Sequence, residues 1–285
     1  MPALFSSSIR FAKIRGTEWG RYRIRSLSSA TSARTTSIAE VHIGTSPPTD
    51  EDHTKVLKPY FEEKQPVVLR GAVSNQPAVQ LWKSWDHLEH KVNADTLCAV
   101  EIGGSYASSE KTEIRFGDYI SYLRFFEERH GRSSPVAPPA SDLVYLAQND
   151  VADSLRSDFT VPSFTASLGY GHLYSVMMWI GPHGCVSPLH FDPLDNVLMQ
   201  FVGVKRVLLY PPGTEVYAGA TKNQKNTSPH NPEESPDLDK FPLLANLPPA
   251  IDCHLLPGDA LYIPQKWWHY VRTVETSLSI NAWWR

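Results

Sequence analysis

Ser187-Pro188-Leu189-His190-Phe191-Asp192-Pro193 opens the stretch that decides how this chain is read. It runs on through Leu194-Asp195-Asn196-Val197-Leu198-Met199-Gln200-Phe201-Val202 to Gly203-Val204-Lys205-Arg206-Val207. β-Branched and aromatic residues broken by a glycine predict short strands, here over 197–202 and 206–210. Residues two apart on a strand point to the same side, so His190 and Asp192 project together. One imidazole and one carboxylate on one face are two legs of a 2-His-1-carboxylate facial triad. Such a site holds Fe(II) and leaves three positions for cosubstrate and oxygen. A second His-x-acid, His87-Leu88-Glu89, falls in a segment with helical spacing, where residues two apart diverge, and is set aside.

The third ligand has to be a histidine on a later strand that returns beside the first. His230, His254 and His269 follow. His230 sits in a Pro-rich stretch, and His254 opens a strand ahead of the turn Pro257-Gly258-Asp259. His269 lies on the return side of that turn, among Trp267, Trp268 and Tyr270, which would give a metal ligand a dry, rigid surround. His269 is therefore the choice, and His254 is assigned a structural role. Lys205 has two readings. Between two apolar strands it would need an anion, such as the distal carboxylate of 2-oxoglutarate, whose keto-acid end chelates a metal. At a hairpin tip it would stand in solvent.

Outward from this stretch the pattern predicts further strands over 143–148, 174–180, 254–256, 260–263, 270–274 and 277–284. Several short strands at close spacing suggest a barrel or sandwich of the jelly-roll type. Helices are predicted over 52–64, 81–92 and 116–128, with short strands at 66–71 and 98–102. Residues 133–140 read as a loop, and 211–249, with eight prolines, as a long loop with a turn near 241–245.

The composition bounds the function. With 285 residues, 41% hydrophobic and 20% charged, the chain falls in the folded globular class. No run approaches the ~20 apolar residues of a membrane span. Cys98, Cys185 and Cys253 stand far apart, which excludes a disulfide framework or a cysteine-rich zinc site and suits buried small hydrophobes. The net charge of −3 averages two unlike parts. Residues 1–39 hold Lys13 and six arginines against Glu18, and removing that +6 leaves −9 for 40–285. An acidic body disfavours nucleic acid and agrees with a basic protein or peptide substrate. Residues 1–40, rich in Arg and Ser and containing Arg25-Ser26-Leu27-Ser28-Ser29, have the composition of a mitochondrial transit peptide. The expected organisation is thus a leader over 1–40 and one domain over 41–285, helix-rich over about 50–140 and a barrel over about 143–285.

The run S-P-L-H-F-D-P-L-D-N-V-L-M-Q-F-V-G-V-K-R-V-L-L-Y-P-P (187–212), with L-P-G-D-A-L-Y-I-P-Q-K-W-W-H-Y-V-R (256–272), resembles the JmjC-domain, cupin-like Fe(II)/2-oxoglutarate oxygenases. Within them it is most similar to a small branch described as arginyl hydroxylases and lysine demethylases. The resemblance spans about 55–285 and includes Y-L-A-Q at 145–148, W-I-G-P at 179–182 and the terminal Trp283-Trp284. It implies a double-stranded β-helix, mainly β, with helices outside. It implies His190, Asp192 and His269 as iron ligands, and Lys205 with Tyr145 on the distal carboxylate of 2-oxoglutarate. Ser187 and Asn196 would line the same pocket, Asn281 is a further candidate there, and Trp179 would pack beside it.

The activity implied is hydroxylation of a protein side chain, arginyl or similar, with O2 consumed and succinate and CO2 released. On a carbon bearing a methylated nitrogen the same chemistry ends in demethylation, as in a lysine demethylase. The rivals are a non-catalytic JmjC-fold binding protein and a cupin metalloenzyme independent of 2-oxoglutarate. No zinc-finger, PHD-like or chromodomain-like module is expected beside the domain, and no helix pair for dimerisation is expected after the last strand. A monomer in mitochondria is the resulting expectation, with nucleus or cytoplasm as the alternative location.

Overall fold

Eight consecutive buried residues, Ser277–Trp284, form the central strand of the larger of two sheets. A strand buried on both faces reads as a continuous apolar-rich run only where something covers each face. Here one face looks into a barrel and helices cover the other. The computed structural model describes residues 35–43, 50–105, 110–217 and 226–285. The leader expected over 1–40 lies outside the described residues as far as position 34.

The early strands are β1 (Thr35–Ser37), β2 (Ala39–His42), β3 (Val67–Arg70), β4 (Leu97–Ile102), β5 (Glu110–Arg115) and β6 (Val144–Asp150). The barrel follows as β7 (Leu173–Gly181), β8 (Val186–Phe191), β9 (Asp195–Val202), β10 (Lys205–Tyr210), β11 (Ala250–Leu255), β12 (Ala260–Ile263), β13 (Trp268–Thr273) and β14 (Ser277–Trp284). One sheet has the order β1-β11-β10-β13-β8 and the other β2-β3-β12-β9-β14-β7-β6-β4-β5. The eight strands β7 to β14 thus divide into β11-β10-β13-β8 facing β12-β9-β14-β7, a double-stranded β-helix. Leu198, Val207, Leu209, Leu261, Ile263 and Val271 pack between the halves.

Helices α1 (Asp50–Glu62), α2 (Ala78–Leu81), α3 (Trp85–Lys91), α4 (Phe116–His130) and α5 (Phe164–Ser167) bury Leu57, Val79, Leu88, Leu123 and Phe164 in one cluster with Met199, Phe201 and Trp284 of the larger sheet. No helix among the described residues is long and apolar enough to cross a membrane.

The elements differ from the sequence reading at several points. The single helix predicted over 81–92 is two, α2 and α3, because the Ser84 hydroxyl accepts from His87 N at 3.2 Å and caps a new helix. β5, with the sequence Glu-Lys-Thr-Glu-Ile-Arg, escapes the apolar pattern because it is an exposed edge strand. β1 and β2 fall within the stretch assigned to the leader, yet they pair in parallel with β11 and β3, a contact that local composition does not encode. In the long loop the turn read near 241–245 is a 3₁₀ turn over Pro242–Asn246, and beyond that reading Thr227 bridges to His190 at the free edge of β8.

Candidate metal centre

β13 runs antiparallel to β8 with His269 directly opposite His190, which brings the two rings to 4.2 Å between centroids. Asp192 is the first residue past β8, at the corner where the chain changes sheet. Its Oδ1 lies 3.9 Å from His190 Nε2 and its Oδ2 3.7 Å from His269 Nε2. One donor atom from each residue falls within 4.8 Å of the others, the one such His/Cys/Asp/Glu group among the described residues.

Backbone carbonyls settle the histidine tautomers. His190 Nδ1 is 2.7 Å from Pro188 O, and His269 Nδ1 is 3.0 Å from Trp267 O. A carbonyl only accepts, so each Nδ1 carries a proton and Nε2 is the ring nitrogen turned toward Asp192. Burial, with His190 alongside, pushes the His269 pKa down to about 4, so the ring is neutral. Burial disfavours charge on Asp192, but His269, His190 and two donors outweigh it and hold the carboxyl below its usual range. Those donors are Trp283 Nε1 at 2.8 Å and Asn196 Nδ2 at 3.3 Å, both to Oδ2. Asn281 Nδ2 in turn donates to Asn196 Oδ1 at 2.7 Å. Two imidazole lone pairs and one carboxylate facing a common point form a donor set for a divalent transition metal.

Lys205 is 2% exposed, so the hairpin-tip reading does not hold. Gly203, at φ +67, makes the tight turn that drives the lysine inward, and a Cβ there would strike the Thr276 carbonyl. Lys205 Nζ donates to Ser279 Oγ at 2.6 Å and lies 3.5 Å from Tyr145 Oη. Among the described residues no carboxylate neutralises it, and burial pushes its pKa down to about 7. Trp179 packs beside Tyr145 with its ring tilted, 5.8 Å between centroids.

His190, Asp192, His269, Lys205, Tyr145, Ser187, Asn196 and Asn281 all line one cavity together with Trp179. His254 is exposed on β11 opposite Arg206, and His230 is buried within the long loop; neither lines the cavity. The sequence reading missed Ser279, and it named Trp283 without a role. The signal was present as an alternation, since Ser279, Asn281 and Trp283 are two apart on β14 and share its inner face.

Residues 53–285 match the family described as cupin-like domain. The chain belongs to the cupin-like, JmjC-domain family. It is 36% identical over 235 residues to "Lysine-specific demethylase JMJ30" of Arabidopsis thaliana, covering 80% of this chain and 52% of that protein. It is 30% identical over 260 residues to "Jumonji C domain-containing protein 5" of Drosophila melanogaster, covering 88% and 61%. With "Lysine-specific demethylase 8" of Danio rerio the identity is 34% over 236 residues, covering 79% and 54%. The chain thus spans about half the length of the curated relatives it matches.

Proposed function

We propose that this cupin-like domain is an Fe(II)- and 2-oxoglutarate-dependent oxygenase acting on a protein side chain. The observation that carries the reading is the convergence of His190, Asp192 and His269 in one cavity with a buried lysine that no carboxylate neutralises. The residues fit both groups. Two imidazole Nε2 atoms and a carboxylate suit Fe(II), and a buried lysine without a carboxylate partner, flanked by hydroxyls, suits the distal carboxylate of a dicarboxylate. When bound, the metal would supply O2 activation coupled to oxidative decarboxylation of 2-oxoglutarate to succinate and CO2.

The chain's own contribution is positional. Pro188 O and Trp267 O orient the two rings, Trp283 and Asn196 orient the carboxylate, and Lys205 with Tyr145 and Ser279 receives the cosubstrate's far end. His190, Asp192 and His269 would hold the metal in the same way whichever protein residue is presented to it. The relatives named as lysine demethylases favour an N-methyl lysine over the arginyl substrate that the sequence suggests first. The test is incubation of purified protein with Fe(II), ascorbate and 2-oxoglutarate, with and without methyl-lysine and arginine peptides. Succinate release that depends on Fe(II) and disappears in His190→Ala is expected. Absence of both turnover and Fe(II)-dependent 2-oxoglutarate binding would overturn the reading.

A further inference from the structure

Both ligand-bearing corners are sheet changes at one end of the barrel. Between β8 and β9 the chain leaves the smaller sheet through Asp192, Pro193 and Leu194. Between β12 and β13 it returns through Pro264, Gln265, Lys266 and Trp267, two residues ahead of His269. The corners are tied together, with Lys266 N donating to Asp192 O at 2.7 Å. Beside that bond sits Asp195, whose side chain is 5% exposed. Its Oδ1 accepts from Tyr262 Oη at 2.8 Å and from Gln265 N at 3.2 Å, and its Oδ2 lies 3.2 Å from Lys64 Nζ. Trp267 Nε1 donates to Lys64 O at 2.9 Å, so the same lysine grips the second corner with its backbone. Lys64 and Lys266 both hold positive φ, 52° and 66°. Residues other than glycine persist there only where the surroundings over-determine them.

We propose that Asp195 is a positioning residue for the metal centre. Its carboxylate pins the Gln265 corner to the start of β9, next to Asn196, and thereby sets the separation of Asp192 from His269. The inference rests on the metal reading above. A buried carboxylate serving the fold alone is replaceable by packing, whereas one joining two ligand corners is felt in the ligand geometry.

The test uses the full chain and Co(II), whose visible bands report ligand geometry, with affinity and thermal midpoint measured in parallel. Asp195→Ala is expected to weaken Co(II) binding by about 10- to 100-fold and to shift the bands. Asp195→Asn, which keeps an oxygen for Tyr262 and Gln265, is expected to recover most of that loss. Leu123→Ala, a core truncation in α4 away from the clamp, is expected to lower the midpoint and leave the bands in place. Should Asp195→Ala fail to fold, Tyr262→Phe and Lys64→Met each remove one bond of the clamp and give the same readout. Wild-type binding with unchanged affinity and bands in the clamp variants overturns this inference alone. A wild-type protein that takes up no Co(II) overturns the metal reading and this inference with it.

Discussion

His190 and His269 face each other across the β8–β13 ladder, and each orients its ring against the carbonyl two residues upstream, Pro188 O and Trp267 O. The tautomer of each ligand is therefore set within its own short segment. Only the distance between the rings depends on long-range pairing. Asp192 is held in turn by Trp283 and Asn196, so all three donors are positioned by the chain's own hydrogen bonds.

Metal binding should stabilise the fold by mass action. At 100 times the dissociation constant the gain is about 2.7 kcal/mol. Calorimetry with Mn(II) or Co(II) is expected to show a raised unfolding midpoint in the wild type and none in His190→Ala or His269→Ala. Equal gains in wild type and both variants would place the metal elsewhere.

Lys205 links affinity to pH. Its pKa is about 7 in the folded protein against 10.5 for the free side chain, so between those values the unfolded chain binds the extra proton. Stability of the ligand-free protein should therefore rise as pH climbs from about 7 toward 10.5. An anion beside Nζ restores the proton, so 2-oxoglutarate affinity should fall above pH 7, by up to about tenfold per unit. Titration calorimetry in buffers of different ionisation enthalpy should register proton uptake at about pH 8. Lys205→Met is expected to cost about 10- to 100-fold in affinity and to stabilise the empty protein at neutral pH by on the order of 1–3 kcal/mol. Retained affinity in that variant would remove Lys205 from the pocket's chemistry.

Trp283→Phe deletes the Nε1 donor to Asp192 while keeping an aromatic ring in place. Asp192 then retains Asn196 alone, at 3.3 Å. Metal affinity is expected to drop by about tenfold with little change in thermal midpoint. A loss of stability without a loss of metal affinity would make Trp283 a packing residue only.

Glu233 fastens the long loop to the outside of the barrel. It accepts from Arg206 Nη1 at 2.7 Å, Arg272 Nε at 2.7 Å and Tyr270 Oη at 2.9 Å. Glu233→Ala is expected to destabilise by about 1–3 kcal/mol and to expose residues 226–249 to limited proteolysis. Cleavage no faster than in the wild type would show that the contacts of Asn226 and Ser228 with β8 hold the loop unaided.

How much of this was legible beforehand depends on the range of each interaction. His190 and Asp192 could be read as one site because two-residue alternation is a local property of a strand. Asp192 lies one position past β8, and its carboxylate still comes within 3.9 Å of His190 Nε2. Edge strands β1, β2 and β5 were not legible, because exposed or parallel pairing leaves no apolar pattern of its own.

The sequence by itself determined the chemistry on offer: which residues can ligate, which can carry charge, and where the chain must turn. Only the tertiary structure decided the partners. It set His269 opposite His190, buried Lys205 against Ser279, aimed Trp283 at Asp192, and closed both corners on Asp195. The physical reason is that side-chain type and strand alternation are properties of neighbours along the chain. Ladder register and sheet crossing join segments far apart in sequence, and they are fixed by the packing of the whole barrel.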